Sequence, residues 1–311
     1  MTAARPDEFV HPALFYRSDA EYLDGLLPFV TEGLAAGQPV AVAVPGPRVR
    51  LLRSALGDAA ERVHMVDMTV AGRNPGRIIA AVLRHFADPH AGRHVRIVGE
   101  PVWPGRSATE YPACAQHEAL INAAFAGRDV TIVCPYDTVG LDADVLADAR
   151  ATHPVVWGAD GLREASAEYA PDSVVARYNQ PLNHHGDAEP HVVTDAAGLP
   201  AARRWVADRA RALGLAPDRI ADLELIATEL AANSLVHAST PCELRIWPDG
   251  GDVVCEGRDT GRLTDPLAGR RPAEPTALSG RGLLMVNDLA ELVRIHTSPR
   301  GTTVRAYLRR R

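Results

Sequence analysis

The first half of the chain alternates short apolar runs with helix-like stretches, and this alternation restricts it to an α/β fold. The runs ALFY (13–16), VAVAV (40–44), VHMVDM (63–68), VRIVGE (95–100), VTIVCPY (130–136) and VVW (155–157) are rich in β-branched residues. They lack the strict apolar–polar alternation of a strand with one wet face, which predicts strands buried on both faces. Helix-like segments near 20–36, 48–56, 76–87, 110–125 and 142–150 separate them. Right-handed crossovers through such helices give a doubly wound, mainly parallel sheet over residues 1–182. Ligands of these sheets bind beyond the carboxyl ends of the strands. Glu100 ends the fourth run with Trp103 and Arg106 after it, and Tyr136 ends the fifth with Asp137 after it; these five are the candidate lining of a small-molecule pocket.

The second half is organised around one helical stretch, IADLELIATELAANSLVH (220–237). At 3.6 residues per turn Ile220, Leu223, Ile226, Ala227, Leu230 and Ser234 share one arc, an apolar face for a sheet to cover. Glu229 and Asn233 then sit together on one edge of that arc. A carboxylate can take a proton and an amide oxygen can ligate a hard cation, so the pair suits phosphoryl transfer from Mg–ATP. Downstream, VVCEGRDTG (253–261) passes from a strand-like start into Asp259 and Gly261. A stretch rich in Pro, Gly and Arg (262–278) precludes regular structure. Ser279, Gly280, Arg281, Gly282 and Leu283 then open a helix-like segment, where backbone N–H groups can approach phosphates.

This order of features resembles the GHKL (Bergerat) ATP-binding domain shared by anti-sigma-factor serine kinases, histidine kinases and gyrase, most closely the anti-sigma branch. The resemblance covers 193–311 within a domain taken as 190–311. It implies a two-layer α/β sandwich, expected here from four strands (two hairpins, with turns at 248–251 and 298–301) and about three helices, among them 199–213. It implies that Glu229 is the catalytic base and Asn233 the Mg2+ ligand. It further implies that Asp259 accepts from the adenine amino group with Gly261 as its turn, that Gly280, Arg281, Gly282 and Leu283 line the phosphate side, and that Thr302 places a hydroxyl near adenine. The family's usual second glycine, two residues after Gly261, is Leu263 here.

In the first half, His11 to Tyr16, Gly99 to Ser107, Tyr111, His117-Glu118, Cys134 to Asp137 and Thr152 to Pro154 resemble the MEDS (DcmR-like) sensory domain, a KaiC/RecA-like module without a P-loop. That resemblance implies small-molecule sensing. The chain contains 33 basic residues and no lysine among them, so a Walker A loop is excluded. His11 and His117 have no Cys or His at metal-ligand spacing nearby in sequence, and no zinc site is expected there. His117-Glu118 also matches the start of a histidine-kinase phosphoacceptor box, but no sustained heptads surround it. The polar segment NHHGDAE (183–189) is the expected linker.

Hydrophobic residues make up 46% and charged residues 23%, which excludes extensive disorder. Net charge is −6 without a basic footprint, so no nucleic-acid partner is expected. No run approaches the ~20 apolar residues of a membrane span. The expectation is a soluble cytoplasmic protein whose four scattered cysteines are reduced core residues. The leading expectation for function is a signal-responsive protein serine/threonine kinase of the anti-sigma-factor type. ATP and Mg2+ are its cofactors, its partner is an anti-anti-sigma (STAS-type) protein or a sigma factor, and a small-molecule ligand and a homodimer are compatible with it. A histidine-kinase-like catalytic half and a non-catalytic ATP-dependent binding module are the alternatives.

Overall fold

The computed structural model describes residues 9–158, 161–183, 188–273 and 280–310. Residues 184–187 of the expected linker, including His184 and His185, lie outside the described residues, as do Ser279 and the end of the expected loop 262–278. The chain divides into two compact units, Met1–Tyr178 and Asn179–Arg311.

The first unit is built on seven strands: β1 (Pro12–Tyr16), β2 (Val40–Val44), β3 (His64–Asp67), β4 (Val95–Gly99), β5 (Val130–Asp137), β6 (Val155–Gly158) and β7 (Arg163–Ala165). Their order is β3-β2-β4-β5-β1-β6-β7, parallel except for β7 against β6. Helices α1 (Asp19–Ala35) and α2 (Gly46–Leu56) cover one face, where Leu14, Val42, Val44, Val98 and Val133 pack with Tyr22, Leu26, Val30 and Leu52. After β3 the chain forms short helical pieces, α3 (Met68–Ala71), α4 (Pro75–Ile78), a π turn (Ile79–Arg84) and α5 (His85–Ala87). Then come α6 (Tyr111–Ala124), α7 (Ala143–Thr152) and α8 (Pro171–Tyr178).

Helix α6 is buried along Ala113 to Ile121, polar Gln116, His117 and Glu118 included. A helix enclosed on all sides must satisfy such groups internally. β7 and α8 were not anticipated. β7 is three exposed residues without an apolar pattern, a charged edge strand of the kind that resists further pairing. α8 is a short helix that docks Val174 against α6. Its Arg177 and Tyr178 bind the buried carboxylate of Asp148, which also accepts from the Tyr111 hydroxyl at 2.8 Å.

The second unit is an antiparallel sheet of β8 (His191–Val193), β9 (Cys242–Asp249), β10 (Asp252–Asp259), β11 (Leu292–Ser298) and β12 (Gly301–Arg309), in the order β11-β12-β10-β9-β8. β8 makes five strands where four were expected. Helices α9 (Leu199–Ala212), α10 (Pro217–Asn233) and α11 (Gly282–Leu289) form the second layer. Every second residue of the central strands, Leu244, Ile246, Val253, Cys255, Ala306 and Leu308, meets Val206, Leu223, Ile226, Leu230 and Val286. Residues ahead of the sheet belong to this unit. The Asn179 side chain donates to the Thr297 carbonyl at 2.8 Å and accepts from its N–H at 3.0 Å, and Arg305 donates to the Asn183 carbonyl at 2.8 Å.

Helix α10 starts with Pro217 at its first position behind Ala216, and Asp218 lies in the first turn, where the helix dipole favours it. Leu223, Ile226, Ala227 and Leu230 are buried on the arc set by the 3.6 period, with Ile220 half-buried against the same core. The predicted helix continues past Asn233 as a π turn, Ser234–Ala238, ended by Ser239 in the left-handed region (φ 55°). All four cysteines are free and buried. Among the described residues no helix is long and apolar enough to cross a membrane.

Candidate functional site

Helix α10 carries Glu229 and Asn233 one turn apart at its carboxyl end, both half-buried, where the α-helical hydrogen bonding loosens into the π turn. Such widened turns recur at functional sites. The first residue of α11 lies directly against them. A Cβ placed on Gly282 would stand 2.5 Å from Glu229 Oε2 and 3.3 Å from both Oδ1 and Nδ2 of Asn233. A side chain at this position would push the Glu229 carboxylate aside, and glycine leaves the opening backbone of α11 close to the carboxylate and the amide. Asn233 Nδ2 is buried without a hydrogen-bond partner, and an orphaned donor of this kind marks a place for an acceptor from a ligand.

Asp259 ends β10 and is fixed from two sides. Its Oδ2 accepts from Ser234 Oγ and its Oδ1 from the Gly261 N–H, both at 2.7 Å. Ser234 opens the π turn, so this turn ties the Glu229–Asn233 edge to Asp259. At Gly261 a Cβ would sit 2.2 Å from the Cβ of Ala238, at the end of the same turn, which excludes any side chain there. Thr302 faces Asp259 across the β10–β12 pair, and its hydroxyl donates to the Gly261 carbonyl at 2.9 Å. Leu263, in place of a second glycine, has no positive φ; its N–H donates to the Thr297 and Thr302 hydroxyls, at 3.1 Å each.

Two groups of expected residues are thus brought together, Glu229 with Asn233 and Gly282, and Asp259 with Gly261 and Thr302. Gly280, with φ +90°, and Arg281 lead into α11, and Leu283 packs on the hydrophobic core. Sequence reasoning missed the structural parts of Ser234, Thr297 and Asn287. Asn287 Nδ2 donates to the Gly269 carbonyl at 2.9 Å and so fastens the loop after β10 to α11. Ser234 left a trace, as the one hydroxyl on an otherwise apolar arc.

Residues 192–308 match the model of the histidine kinase-like ATPase domain, and residues 10–154 match that of MEDS, the MEthanogen/methylotroph, DcmR Sensory domain. The chain joins a MEDS domain to a histidine kinase-like ATPase domain. No curated protein matches it. Among solved structures it is similar to the RsbU and RsbW domains of Rv1364c from Mycobacterium tuberculosis, with 19% identity and a TM-score of 0.30 over 39% of this chain and 32% of that one. It is also similar to the SiaB–SiaC complex from Pseudomonas aeruginosa, with 12% identity and a TM-score of 0.31 over 39% of this chain and 88% of that one. The chain therefore spans about a third of the length of the mycobacterial chain it matches.

In the MEDS domain the five expected pocket residues fall into separate contacts. The Arg106 guanidinium lies 3.7 Å from the Trp103 ring centroid, and its nitrogens donate to the carbonyls of Pro101, Arg73 and Gly72 and to Glu110. Arg106 is a brace between two loops, with its donors spent on the protein. Tyr136 is buried edge-on to His153, and Asp137 Oδ1 accepts from the N–H groups of Val139 and Gly140. Glu100 is buried and accepts from the Tyr22 hydroxyl at 3.1 Å. Arg48 stacks on the Tyr22 and Tyr16 rings, and its charge, like that of Asp137, acts on Glu100. Tyr16 ends the stretch His11 to Tyr16 already singled out, whereas Tyr22 and Arg48 were not anticipated, because they come from the two helices after the first strands.

Burial pushes the Glu100 carboxyl up to about 8, with Arg48 and the Tyr22 hydroxyl pulling the other way and Asp137 adding to the rise. Its ordinary value is 4.5, so between these two pH values the native protein keeps a proton that the unfolded chain has lost. Stability then falls as pH rises through that window, by at most about 1.4 kcal/mol per pH unit. Glu100→Gln removes this dependence. The expected result in melts at successive pH values is near equality with the parent at pH 4.5 and an advantage of about 2–4 kcal/mol for the variant above pH 8. Parallel curves would show that Glu100 is not held protonated.

One histidine, His11, departs from expectation. His117 is buried within α6, a core position and not an exposed phosphoacceptor surface. His11, for which no metal set was expected, lies with Glu118, Cys134 and His153, drawn from segments far apart in sequence. Spacing rules find ligands on one hairpin or one helix and are blind to this arrangement.

Proposed function

We propose that the histidine kinase-like ATPase domain binds Mg–ATP and transfers phosphate to a serine or threonine of an anti-anti-sigma (STAS-type) protein in the cytoplasm, and that the MEDS domain makes this responsive to a signal. The observation that carries the reading is the placement of Glu229 and Asn233 against the glycine backbone that opens α11. The roles are those of the resembled family. The N–H groups from Gly280 to Gly282, just ahead of and at the start of α11, take phosphate oxygens, aided by the helix dipole. The Asn233 amide oxygen holds the cation, and Asp259 accepts from the adenine amino group while Gly261 keeps the approach clear. Glu229 removes the proton of the attacking hydroxyl. Bound Mg–ATP supplies the phosphoryl group and a cation that offsets its charge.

The deciding experiment incubates the full chain with labelled ATP and candidate antagonist proteins, with a sigma factor as an alternative partner in parallel. Acid-stable phosphoprotein is the expected product. Acid-labile product would assign the chain to transfer onto histidine, and ATP binding without any transfer would make it a binding module.

Asp259→Asn tests the adenine assignment separately from the chemistry. A carboxylate that accepts a hydrogen bond contributes about 1.5–3 kcal/mol, so ATP should bind about 10- to 150-fold more weakly in calorimetry. An unchanged affinity removes Asp259 from the nucleotide site.

A further inference from the structure

We propose that His11, Glu118, Cys134 and His153 form a closed site for a divalent transition metal of the zinc type inside the first unit. His11 stands just before β1, Glu118 in the middle of α6, Cys134 within β5 and His153 between α7 and β6. All four are buried, at 1% exposure or less, and their ligand atoms lie within 4.8 Å of one another. Among the described residues this is the one group of three or more potential ligands so arranged.

The positions of the protons argue for a cation. His153 Nδ1 lies 2.8 Å from the Ala149 carbonyl, which can only accept, so the ring proton sits on Nδ1. Asn122 spends its Nδ2 on the carbonyls of Thr152 and Ala119, which turns its Oδ1 toward His11 Nδ1 at 3.2 Å and places that ring's proton on Nδ1 as well. With Nδ1 engaged in this way, each ring turns its Nε2 toward one carboxylate oxygen. His11 Nε2 and His153 Nε2 each lie 3.3 Å from Glu118 Oε2, and His11 Nε2 lies 3.4 Å from Cys134 Sγ. Neither Glu118 oxygen has a hydrogen-bond partner, and neither has His153 Nε2.

Two ring nitrogens and the carboxylate converge with only the Cys134 thiol and the Tyr136 hydroxyl as donors beside Glu118. Buried acceptors without donors are costly, whereas a cation satisfies all of them at once. Ring N–H groups anchored on a carbonyl and an amide are also the usual outer support of metal-bound histidines.

Size and charge agree. Tetrahedral zinc with bonds of about 2.0–2.1 Å to nitrogen and oxygen keeps neighbouring ligand atoms about 3.3 Å apart. That is the spacing of both imidazole–carboxylate pairs. Uptake forms bonds to two nitrogens, one oxygen and one sulfur and releases the Cys134 thiol proton to solvent. The double positive charge then meets one carboxylate and one thiolate, leaving a neutral buried site. The Phe9 ring stacks on His11 and presents apolar surface to the site, and Tyr136 stands edge-on to His153 with its hydroxyl toward Glu118.

The test uses the full chain, stripped with a chelator and titrated with Co2+ as a probe for zinc. One equivalent is expected, with visible bands of a four-coordinate ion and a near-ultraviolet thiolate-to-cobalt band, all bleached by Zn2+. Cys134→Ser should lose the near-ultraviolet band, and Glu118→Gln should lower Co2+ affinity at least about 10-fold. Folded parent protein without the thiolate band overturns the proposal, and so does a band that survives in Cys134→Ser. Should Cys134→Ser not fold, Glu118→Gln decides: unchanged affinity places the cobalt elsewhere and equally overturns it.

Discussion

Glu229→Ala is expected to keep ATP affinity and lose phosphoryl transfer by about 10²- to 10⁴-fold, the usual contribution of a positioned general base. The substitution is well suited to the question. Glu229 lies half-buried on the flank of α10, while its neighbours Ile226 and Leu230 carry the packing, and alanine is the best helix former. Its carboxylate oxygen nearest α11 stands where a Gly282 side chain would be, so truncation opens space and forces nothing to move. Single-turnover transfer to the antagonist, measured beside calorimetric ATP binding, separates the possibilities. Transfer at the parent rate would end the general-base assignment, and parallel loss of ATP binding would make Glu229 a structural part of the pocket.

The fold of each half was legible because burial leaves a period in the sequence. In the first unit the central strands read as continuous apolar runs, since helices cover both of their faces, and they were found within a residue or two. In the second, the 3.6 period of α10 survived because one face meets the sheet and the other does not. What escaped lacks such a period. β7 is exposed, α8 is held by the carboxylate of Asp148 with Arg177, Tyr111 and Tyr178, and the π turn after Asn233 differs from an α-helix only in hydrogen bonding. The site followed the same division. Glu229, Asn233, Asp259 and Gly261 stand in two short stretches whose spacing can be read. His11, Glu118, Cys134 and His153 meet only because β1 is inserted between β5 and β6 and α6 packs close by, a topology that no local pattern encodes.

Glu256→Ala is expected to destabilise the second unit by about 3–5 kcal/mol, more than most single substitutions, because it strands a buried guanidinium. Glu256 and Arg305 are directly opposed on β10 and β12, with Arg305 Nε and Nη2 donating to Glu256 Oε2 at 2.9 and 2.6 Å. Both side chains are about 90% buried, and the guanidinium also lies over the Trp247 ring. In such surroundings desolvation consumes most of the attraction, so the pair as a whole contributes little while the loss of one partner costs much. Replacing both, as Glu256→Leu with Arg305→Met, should therefore restore most of what Glu256→Ala removes, less the Arg305 hydrogen bond to the Asn183 carbonyl. Native-state hydrogen exchange reads the effect where it arises. Amides of β10 and β12 should exchange about 10²- to 10⁴-fold faster in Glu256→Ala and close to the parent rate in the double variant. Equal exchange in single and double variants would show that the loss comes from packing at Glu256 and not from an unpaired charge.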